Sequence, residues 1–218
     1  MRVKICGIND PASFDAAVSS AADWIGFVFF ARSPRAVTPA QARVLDRRHA
    51  GGPLRVGLFV DPTEAEVDAA LDAVSLDVLQ LYATADRVEA LRELFGIPVW
   101  HAVGVSDRAD LPRSTGADGL VIESKPPPGS TRPGGNASAL DWSLLAGWHA
   151  PVPWLMAGGL TPENVAEAIA ASGAGAVDVS SGVETAPGVK DAARIAAFIG
   201  AARAAGVATG AAIWRVLP

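Results

Sequence analysis

The sequence predicts a single (β/α)8 barrel, in which eight parallel strands alternate with helices around a closed sheet. Short apolar runs and alanine-rich helical patterns follow one another along nearly the whole chain, and this order is typical of a parallel sheet covered by helices. Eight such units can be counted, which is the number that closes a parallel sheet into a barrel. The length of 218 residues is enough for one domain of this kind.

The strands are predicted from short runs of apolar residues, many of them β-branched, that lie between turn-forming residues. They are expected at residues 3–6, 24–30, 54–60, 77–82, 98–103, 119–123, 152–157 and 176–180. An open, doubly wound sheet is the rival architecture. The first strand, however, is not followed by the Gly-x-Gly-x-x-Gly turn that a dinucleotide site in such a sheet requires.

The helices are predicted from apolar residues that recur at helical spacing between the strands. They are expected at residues 12–21, 39–48, 64–73, 85–94, 162–171 and 191–204, with short helices near 108–113 and 141–145. Asp10, Thr38 and Thr161 each precede a proline. A capping side chain beside a proline indicates the start of a helix, because proline has no N–H that the first turn would leave unpaired.

The barrel is predicted to span residues 1–205, and a C-terminal tail of unknown role follows at residues 206–218. The one long interruption is residues 124–139, which are rich in proline, glycine and serine. This segment follows the sixth strand, on the face where barrel enzymes keep their active sites. A loop of this length in a compact domain is more often a lid or a binding loop than a plain connection.

Composition and charge exclude several classes of partner. The formal net charge of −5 argues against nucleic acid, because binding would require basic residues to neutralise the phosphates. The longest apolar run, residues 24–31, is too short to span a bilayer, so no membrane partner is expected. The single cysteine, Cys6, cannot form an internal disulfide. These observations favour a cytoplasmic protein that binds a small molecule.

Strand alternation predicts which side chains face the barrel axis, since successive residues of a strand point to opposite faces. In the first strand, Lys4 and Cys6 would face the axis, and Val3 and Ile5 the helices. The other polar side chains expected inside or at the rim are Gln80, Tyr82, Glu123, Asp178 and Ser180. Buried alone, such groups would each cost on the order of 2–7 kcal/mol. We therefore expect them to form one polar network, as in an active site, although a structural ion pair between lysine and aspartate is the simpler alternative.

Two loops are candidates for binding phosphate. The seventh strand ends in Gly158-Gly159, immediately before a helix, and the eighth ends in Ser180-Ser181-Gly182. Glycine allows backbone amides to approach an anion closely, and the N-terminus of a following helix favours negative charge. Barrel enzymes commonly bind phosphate with the loops after these two strands. The ligand is therefore predicted to be a phosphorylated small molecule.

Together with further motifs in the same order, these residues resemble one family, phosphoribosylanthranilate isomerase of tryptophan biosynthesis. The resemblance covers nearly the whole chain, and each motif alone would be a loose pattern. The motifs are Lys4-Ile5-Cys6-Gly7, Gly26-Phe27-Val28-Phe29, Ser33-Pro34-Arg35, Val56-Gly57-Leu58-Phe59-Val60, Leu76-Asp77-Val78-Leu79-Gln80-Leu81, Gly134-Gly135-Asn136, Asp141-Trp142, Ala157-Gly158-Gly159-Leu160, Asp178-Val179-Ser180-Ser181-Gly182-Val183-Glu184, Pro187-Gly188 and Lys190-Asp191.

The resemblance implies an Amadori rearrangement of N-(5-phosphoribosyl)anthranilate to 1-(2-carboxyphenylamino)-1-deoxyribulose 5-phosphate, without a metal or organic cofactor. It implies that Cys6 is the general base and that Glu123 is the general acid. Arg35 would bind the anthranilate carboxylate, a role that suits a planar fork of donors. Asp178 would contact the sugar or orient the intermediate.

Lys4 and Gln80 are further candidates for substrate binding. Lys4 lies two residues before Cys6 on the same face. A nearby cation lowers the pKa of a thiol, so we expect Lys4 to help ionise the base.

The sequence departs from the family pattern at three places. Glu123 replaces an aspartate, Tyr82-Ala83 stands where His-Gly is common, and Ala137 replaces a glycine. These departures support one rival reading, a phosphate-binding barrel that has lost catalysis and acts as a binding or regulatory protein.

A metal-dependent phosphosugar epimerase is another rival, but only His101 of the three histidines falls on a predicted strand. The oligomeric state is left open as monomer or homodimer.

Overall fold

The computed structural model describes residues 1–126, 129–130, 134 and 140–209. Residues 207–209 are described by their backbone alone. Eight parallel strands form a closed barrel in chain order, and β1 pairs with β8 to complete the ring. The strands are β1 Arg2–Cys6, β2 Trp24–Val28, β3 Leu54–Val60, β4 Val78–Tyr82, β5 Val99–Val105, β6 Gly119–Ser124, β7 Trp154–Met156 and β8 Ala176–Val179. The predicted (β/α)8 barrel, also called a TIM barrel, is confirmed.

Six α-helices and three 3₁₀ turns connect the strands within these ranges. The helices are α1 Pro11–Ser19, α2 Pro39–Asp46, α3 Glu64–Leu71, α4 Ala85–Phe95, α5 Val165–Ser172 and α6 Ala192–Thr209. The 3₁₀ turns are Arg108–Asp110, Trp142–Leu145 and Ser181–Val183, and the first two lie where short helices were predicted. No helix in the described part of the chain is both long and apolar enough to cross a membrane.

The predicted caps hold at two helices, and the third predicted helix begins later than expected. The side chains of Asp10 and Thr38 accept hydrogen bonds from backbone N–H groups in the first turns of α1 and α2. The helix predicted at residue 162 begins at Val165. Thr161 Oγ1 accepts from the N–H of Glu163 at 3.2 Å, and the side chain of Asn164 bonds back to the preceding loop.

A small antiparallel hairpin follows β8 and was not predicted. Its strands are β9 Glu184–Ala186 and β10 Val189–Lys190, joined across Pro187 and Gly188. The predicted tail begins inside α6, which continues to Thr209, and residues 210–218 lie outside the described residues. The division of the chain at residue 205 therefore stays a prediction.

Strand alternation divides the core into two parts, as predicted. Val3 and Ile5 belong to the main apolar layer between strands and helices, whereas Lys4 and Cys6 point inward. The lower barrel is filled by large apolar side chains, among them an edge-to-face pair of Trp24 and Trp100 with ring centroids 5.3 Å apart. These apolar side chains fill the barrel toward the N-terminal ends of the strands, and the polar residues lie at the C-terminal ends.

Candidate active site

An open cavity of about 790 Å³, counting its mouth, lies at the C-terminal ends of the strands. Its size and position are those of a small-molecule site in a barrel enzyme. Eight of the predicted site residues line it: Cys6, Arg35, Glu123, Gly158, Gly159, Asp178, Ser180 and Ser181. The structure therefore brings together residues from five strands and their following loops.

Three predicted site residues do not line the cavity. Lys4 is fully buried below it and donates a 3.1 Å hydrogen bond to Asp178 Oδ1. Gln80 is 1% exposed, and its amide has no hydrogen-bond partner among the described residues. Gly182 packs against the backbone carbonyl of Leu160. The substrate contacts of these three residues stay predictions.

The thiol of Cys6 sits in a tight, buried setting. A Cβ atom added at Gly26 would lie 2.9 Å from Cys6 Sγ and 3.2 Å from Lys4 Nζ, so only glycine fits beside this pair. Burial raises the pKa of the Cys6 thiol above its ordinary value of 9.0, while the positive charges of Lys4 and Lys190 act in the opposite direction. Lys4 thus favours the thiolate, as expected, but desolvation outweighs it.

Glu123 lies on the other side of the cavity, next to Tyr82. A Cβ atom on Gly134 would lie 2.7 and 2.8 Å from the two carboxyl oxygens of Glu123, and closer still to the phenol oxygen of Tyr82. The backbone of Gly134 therefore covers both groups. Burial, followed by the charge of Glu123 and a hydrogen bond to it, raises the pKa of the Tyr82 phenol well above its ordinary 10.0.

The guanidinium of Arg35 is held by a partner from the unpredicted hairpin. Arg35 Nε and Nη2 donate to Glu184 Oε1 and Oε2 at 2.7 and 2.8 Å. Both side chains are nearly buried, with 6% and 4% exposure. Hydrogen bonds from Arg35 and the positive charge of Lys190 lower the pKa of the Glu184 carboxyl despite burial, so Glu184 is a carboxylate at neutral pH.

Lys190 connects this ion pair to the loop after β8. Its ammonium donates to Glu184 Oε1 at 2.7 Å, to the Ser180 carbonyl at 2.9 Å and to Ser180 Oγ at 3.2 Å. Ser180 Oγ in turn donates to the backbone carbonyl of Cys6 at 3.1 Å. The backbone of Cys6, the predicted phosphate loop and Arg35 are therefore joined by one hydrogen-bonded network.

The loop after β7 is fixed by two glycines and by the side chain of Asn164. Gly158 and Gly159 adopt left-handed backbone conformations, with φ of 86° and 66°, which strain other residues. Asn164 Nδ2 donates to the Gly159 carbonyl at 3.0 Å, and the Asn164 Oδ1 accepts from the N–H of Thr161 at 2.7 Å. In a trans peptide the next N–H points away from that carbonyl, so the Leu160 N–H is directed away from Asn164.

The sequence reasoning assigned no role to four residues that shape the site: Tyr82, Asn164, Glu184 and Lys190. A signal for the last two was present, because Pro187-Gly188 is a turn-forming pair. A turn there folds Lys190 back beside Glu184. The departure at Ala137, together with Gly135 and Asn136 of the family motif, lies outside the described residues.

The described residues contain no group of three or more His, Cys, Asp or Glu side chains that could hold a metal ion. His101, the histidine weighed as a metal ligand, instead places Nε2 3.0 Å from the backbone carbonyl of Ala83. The side chains that line the cavity include a thiol, two carboxyl groups and a guanidinium.

Comparison with known proteins agrees with this picture. Residues 3–201 match the family model of N-(5'phosphoribosyl)anthranilate (PRA) isomerase. The chain belongs to this isomerase family. The N-(5'-phosphoribosyl)anthranilate isomerase of Acidiphilium cryptum is 56% identical over 205 residues, which cover 94% of this chain and 99% of the relative. The recognition of the family from sequence motifs is thereby confirmed.

Solved structures of the isomerase family share the fold at full length. The dimeric phosphoribosylanthranilate isomerase of Thermotoga maritima, crystallised as monomers, superposes with a TM-score of 0.79 at 33% identity, covering 94% of this chain and 99% of that one. A phosphoribosyl anthranilate isomerase in complex with reduced 1-(o-carboxyphenylamino)-1-deoxyribulose 5-phosphate gives the same TM-score, identity and coverage.

Proposed function

We propose that this chain catalyses the Amadori rearrangement of N-(5-phosphoribosyl)anthranilate to 1-(2-carboxyphenylamino)-1-deoxyribulose 5-phosphate, and that its own side chains supply the acid and the base. One observation carries the proposal. A single cavity is lined by a thiol, Cys6, and a carboxyl group, Glu123, together with Arg35 and the two glycine-containing loops. Family membership supports the same reaction.

Ring opening needs a proton delivered to the ring oxygen, and the rearrangement needs a proton removed from C2. Glu123 donates its proton to the ring oxygen as the nitrogen lone pair forms C1=N and the C1–O bond breaks, which leaves a protonated Schiff base. Cys6, as the thiolate, takes the proton from C2; the C2–H electron pair forms the C1–C2 double bond, and the C1=N pair returns to nitrogen. The resulting enolamine loses its hydroxyl proton at C2 and gains a proton at C1, which gives the ketone. Aligned acids and bases typically contribute about 10²–10⁴-fold each.

The remaining contacts fix the two ends of the substrate. Arg35 binds the anthranilate carboxylate, because a guanidinium can pair with a carboxylate through two parallel hydrogen bonds. The loops that carry Gly158–Gly159 and Ser180–Ser181 hold the phosphate through backbone amides. Asp178, fixed by Lys4 at 3.1 Å, is placed to orient the sugar hydroxyls.

A direct assay tests the function. Freshly prepared phosphoribosylanthranilate is added to the purified protein, and the decay of its fluorescence is followed while the product, an isomer of the substrate, is identified by its ketone chemistry. We expect decay much faster than spontaneous breakdown, with the aminoketose as product. Decay no faster than the spontaneous rate would overturn the proposal and favour a barrel that binds phosphate without catalysis.

Two coarser properties complete the proposal. We place the reaction in the cytoplasm, where a free, buried Cys6 stays reduced. The assembly is a monomer or a homodimer, and one relative is described as dimeric. Light scattering on the purified chain decides between these states.

A further inference from the structure

The hairpin after β8 is anchored to the two loops that carry Asn9 and Arg35. Asn9 Nδ2, in the loop after β1, donates to the Gly188 carbonyl at 3.1 Å. Gly188 itself packs against the Pro34 carbonyl, next to Arg35, and has a left-handed φ of 82°. A side chain at this position would collide with the backbone. The hairpin is therefore wedged against the loops that carry the base and the arginine.

Lys190 cannot bind substrate directly, because its donors are already used. An ammonium has three N–H donors, and Lys190 directs hydrogen bonds to three acceptors, Glu184 Oε1 and the two oxygens of Ser180. None of its side chain is exposed. Burying a lysine is costly, and burial lowers the pKa of this ammonium. The side chain therefore links Glu184 to the loop after β8 and has no donor left for a ligand.

Glu184 is held by hydrogen bonds from two residues, Lys190 and Arg35. Oε1 accepts from both Lys190 Nζ and Arg35 Nε, each at 2.7 Å, and Oε2 accepts from Arg35 Nη2 at 2.8 Å. The carboxylate therefore has one orientation, and it transmits that orientation to the guanidinium. Charge-assisted bidentate pairs of this kind are among the strongest and most directional in proteins.

The pairing decides which edge of Arg35 is left for a ligand. A guanidinium carries five N–H groups, and Glu184 takes the one on Nε and one of the two on Nη2. Of the remaining three, one on Nη1 and one on Nη2 form the outer Nη1–Nη2 edge, which has the spacing to bind a second carboxylate, and the third points back toward Cδ. Arg35 lines the cavity, so this edge is the part of the guanidinium that a ligand can use.

We propose that Glu184 and Lys190 are positioning residues that hold Arg35 in the orientation required to bind the aromatic carboxylate of the substrate. The proposal rests on the proposed function, since it assigns a partner to that same arginine. The alternative is an ion pair that only stabilises the fold. The two readings differ in one respect. If the residues position Arg35, changing them lowers kcat/KM for a substrate that carries the carboxylate and leaves kcat/KM unchanged for a substrate that lacks it.

The experiment compares two substrates in a set of variants. Phosphoribosylanthranilate carries the carboxylate, and N-(5-phosphoribosyl)aniline lacks it but keeps the sugar and the phosphate. Glu184→Gln, Lys190→Met and Arg35→Met are each measured on both. Asp15→Asn is the matched control, because Asp15 holds Arg48 through two hydrogen bonds on the outside of the barrel, at 3.1 and 2.6 Å.

We expect Glu184→Gln and Lys190→Met to reduce kcat/KM for phosphoribosylanthranilate about 10- to 100-fold, mainly through KM, because hydrogen bonds to charged groups have this magnitude. Their kcat/KM for the aniline substrate stays within about twofold of the wild-type value, since no carboxylate is bound there. Asp15→Asn behaves as the wild type on both substrates.

Equal losses on both substrates would overturn the proposal and assign the pair to stability alone. An inactive wild type would instead overturn the proposed function, so the two failures are distinguishable. If Glu184→Gln does not fold, Lys190→Met and Glu184→Asp provide the same comparison. Weaker binding of reduced 1-(o-carboxyphenylamino)-1-deoxyribulose 5-phosphate by the folded variants gives a second readout, and unchanged binding would contradict the proposal.

Discussion

The two sides of the cavity are built from different chemistry. On the side formed by β1, β2 and β8, three cations surround the thiol of Cys6. Lys4 lies beneath it, Arg35 lies beside it and Lys190 lies behind the loop after β8. Each of the three is paired with an acidic residue. On the side formed by β4 and β6, Glu123 lies next to the phenol of Tyr82 under the backbone of Gly134. We call these the base side and the acid side, after the roles proposed for Cys6 and Glu123.

The difference follows from what each proton transfer needs. A thiol must lose its proton to act as a base, so neighbouring cations help it. A carboxylic acid must keep its proton near neutral pH until the substrate takes it, and a neutral hydroxyl neighbour supports this better than a cation does. Pairs of titratable groups in contrasting environments are typical of acid–base active sites. The four predictions below test this contrast, beginning with the largest expected effect.

Removing the proposed base is expected to have the largest effect. If Cys6 takes the C2 proton as proposed, Cys6→Ala reduces turnover of phosphoribosylanthranilate at least about a hundredfold. The measurement is the initial rate of fluorescence decay at saturating substrate, with circular dichroism to verify the fold. Turnover close to that of the wild type would assign the base to another residue and end the contrast between the two sides.

Removing the acid has an effect of similar size. Glu123→Gln keeps the shape of the side chain but cannot donate an acidic proton, so we expect turnover to fall about a hundredfold or more. Glu123→Asp, which shortens the side chain by one methylene, should retain more activity than Glu123→Gln in the same assay. Equal activity of the two variants would show that the carboxyl proton is not used.

The phenol on the acid side should have a smaller effect. Tyr82→Phe removes the hydrogen bond to Glu123, and we expect a loss of about 2- to 10-fold in turnover. In a Glu123→Gln background the same change should have little further effect, because the two residues act as one unit. The same factor in both backgrounds would mean that Tyr82 does not act through Glu123.

The smallest signal is the titration of the thiol itself. Because the chain has a single cysteine, the ultraviolet absorbance of the thiolate reports on Cys6 alone, with Cys6→Ala as the blank. The raised pKa of Cys6 means that the neutral thiol predominates below pH 9.0. The thiolate signal, and with it kcat/KM, should therefore rise as the pH increases through the alkaline range, with a midpoint above 9.0. A midpoint below 9.0 would show that the cations on the base side outweigh burial.

The fold and the inward placement of several site residues follow from local sequence patterns. Alternation along β1 was enough to place Lys4 and Cys6 inside the barrel, because it depends only on neighbouring residues. The caps at Asp10 and Thr38 followed for the same reason, since each satisfies N–H groups within the next three residues. The family motifs then connected Cys6, Arg35 and the glycine-containing loops to one reaction.

Long-range contacts could not be predicted in the same way. Asn164 was expected to continue a helix from residue 162, but its side chain bonds to Gly159 and Thr161. In the sequence, Tyr82 and Glu123 are two separate departures from the family pattern, and nothing there connects them. Only in the structure do the two form a pair, because β4 and β6 bring their ends to the same cavity.

The sequence by itself determined the barrel, the inward face of each strand and the residue types available for acid–base chemistry, because these depend on short-range periodicity. The tertiary structure alone decided how the charges pair. Arg35 and Glu184 are 149 residues apart in the chain, and they meet because β1 closes onto β8 and the hairpin folds back over the loop after β2. The orientation of a guanidinium depends on such a contact, and no local pattern records it.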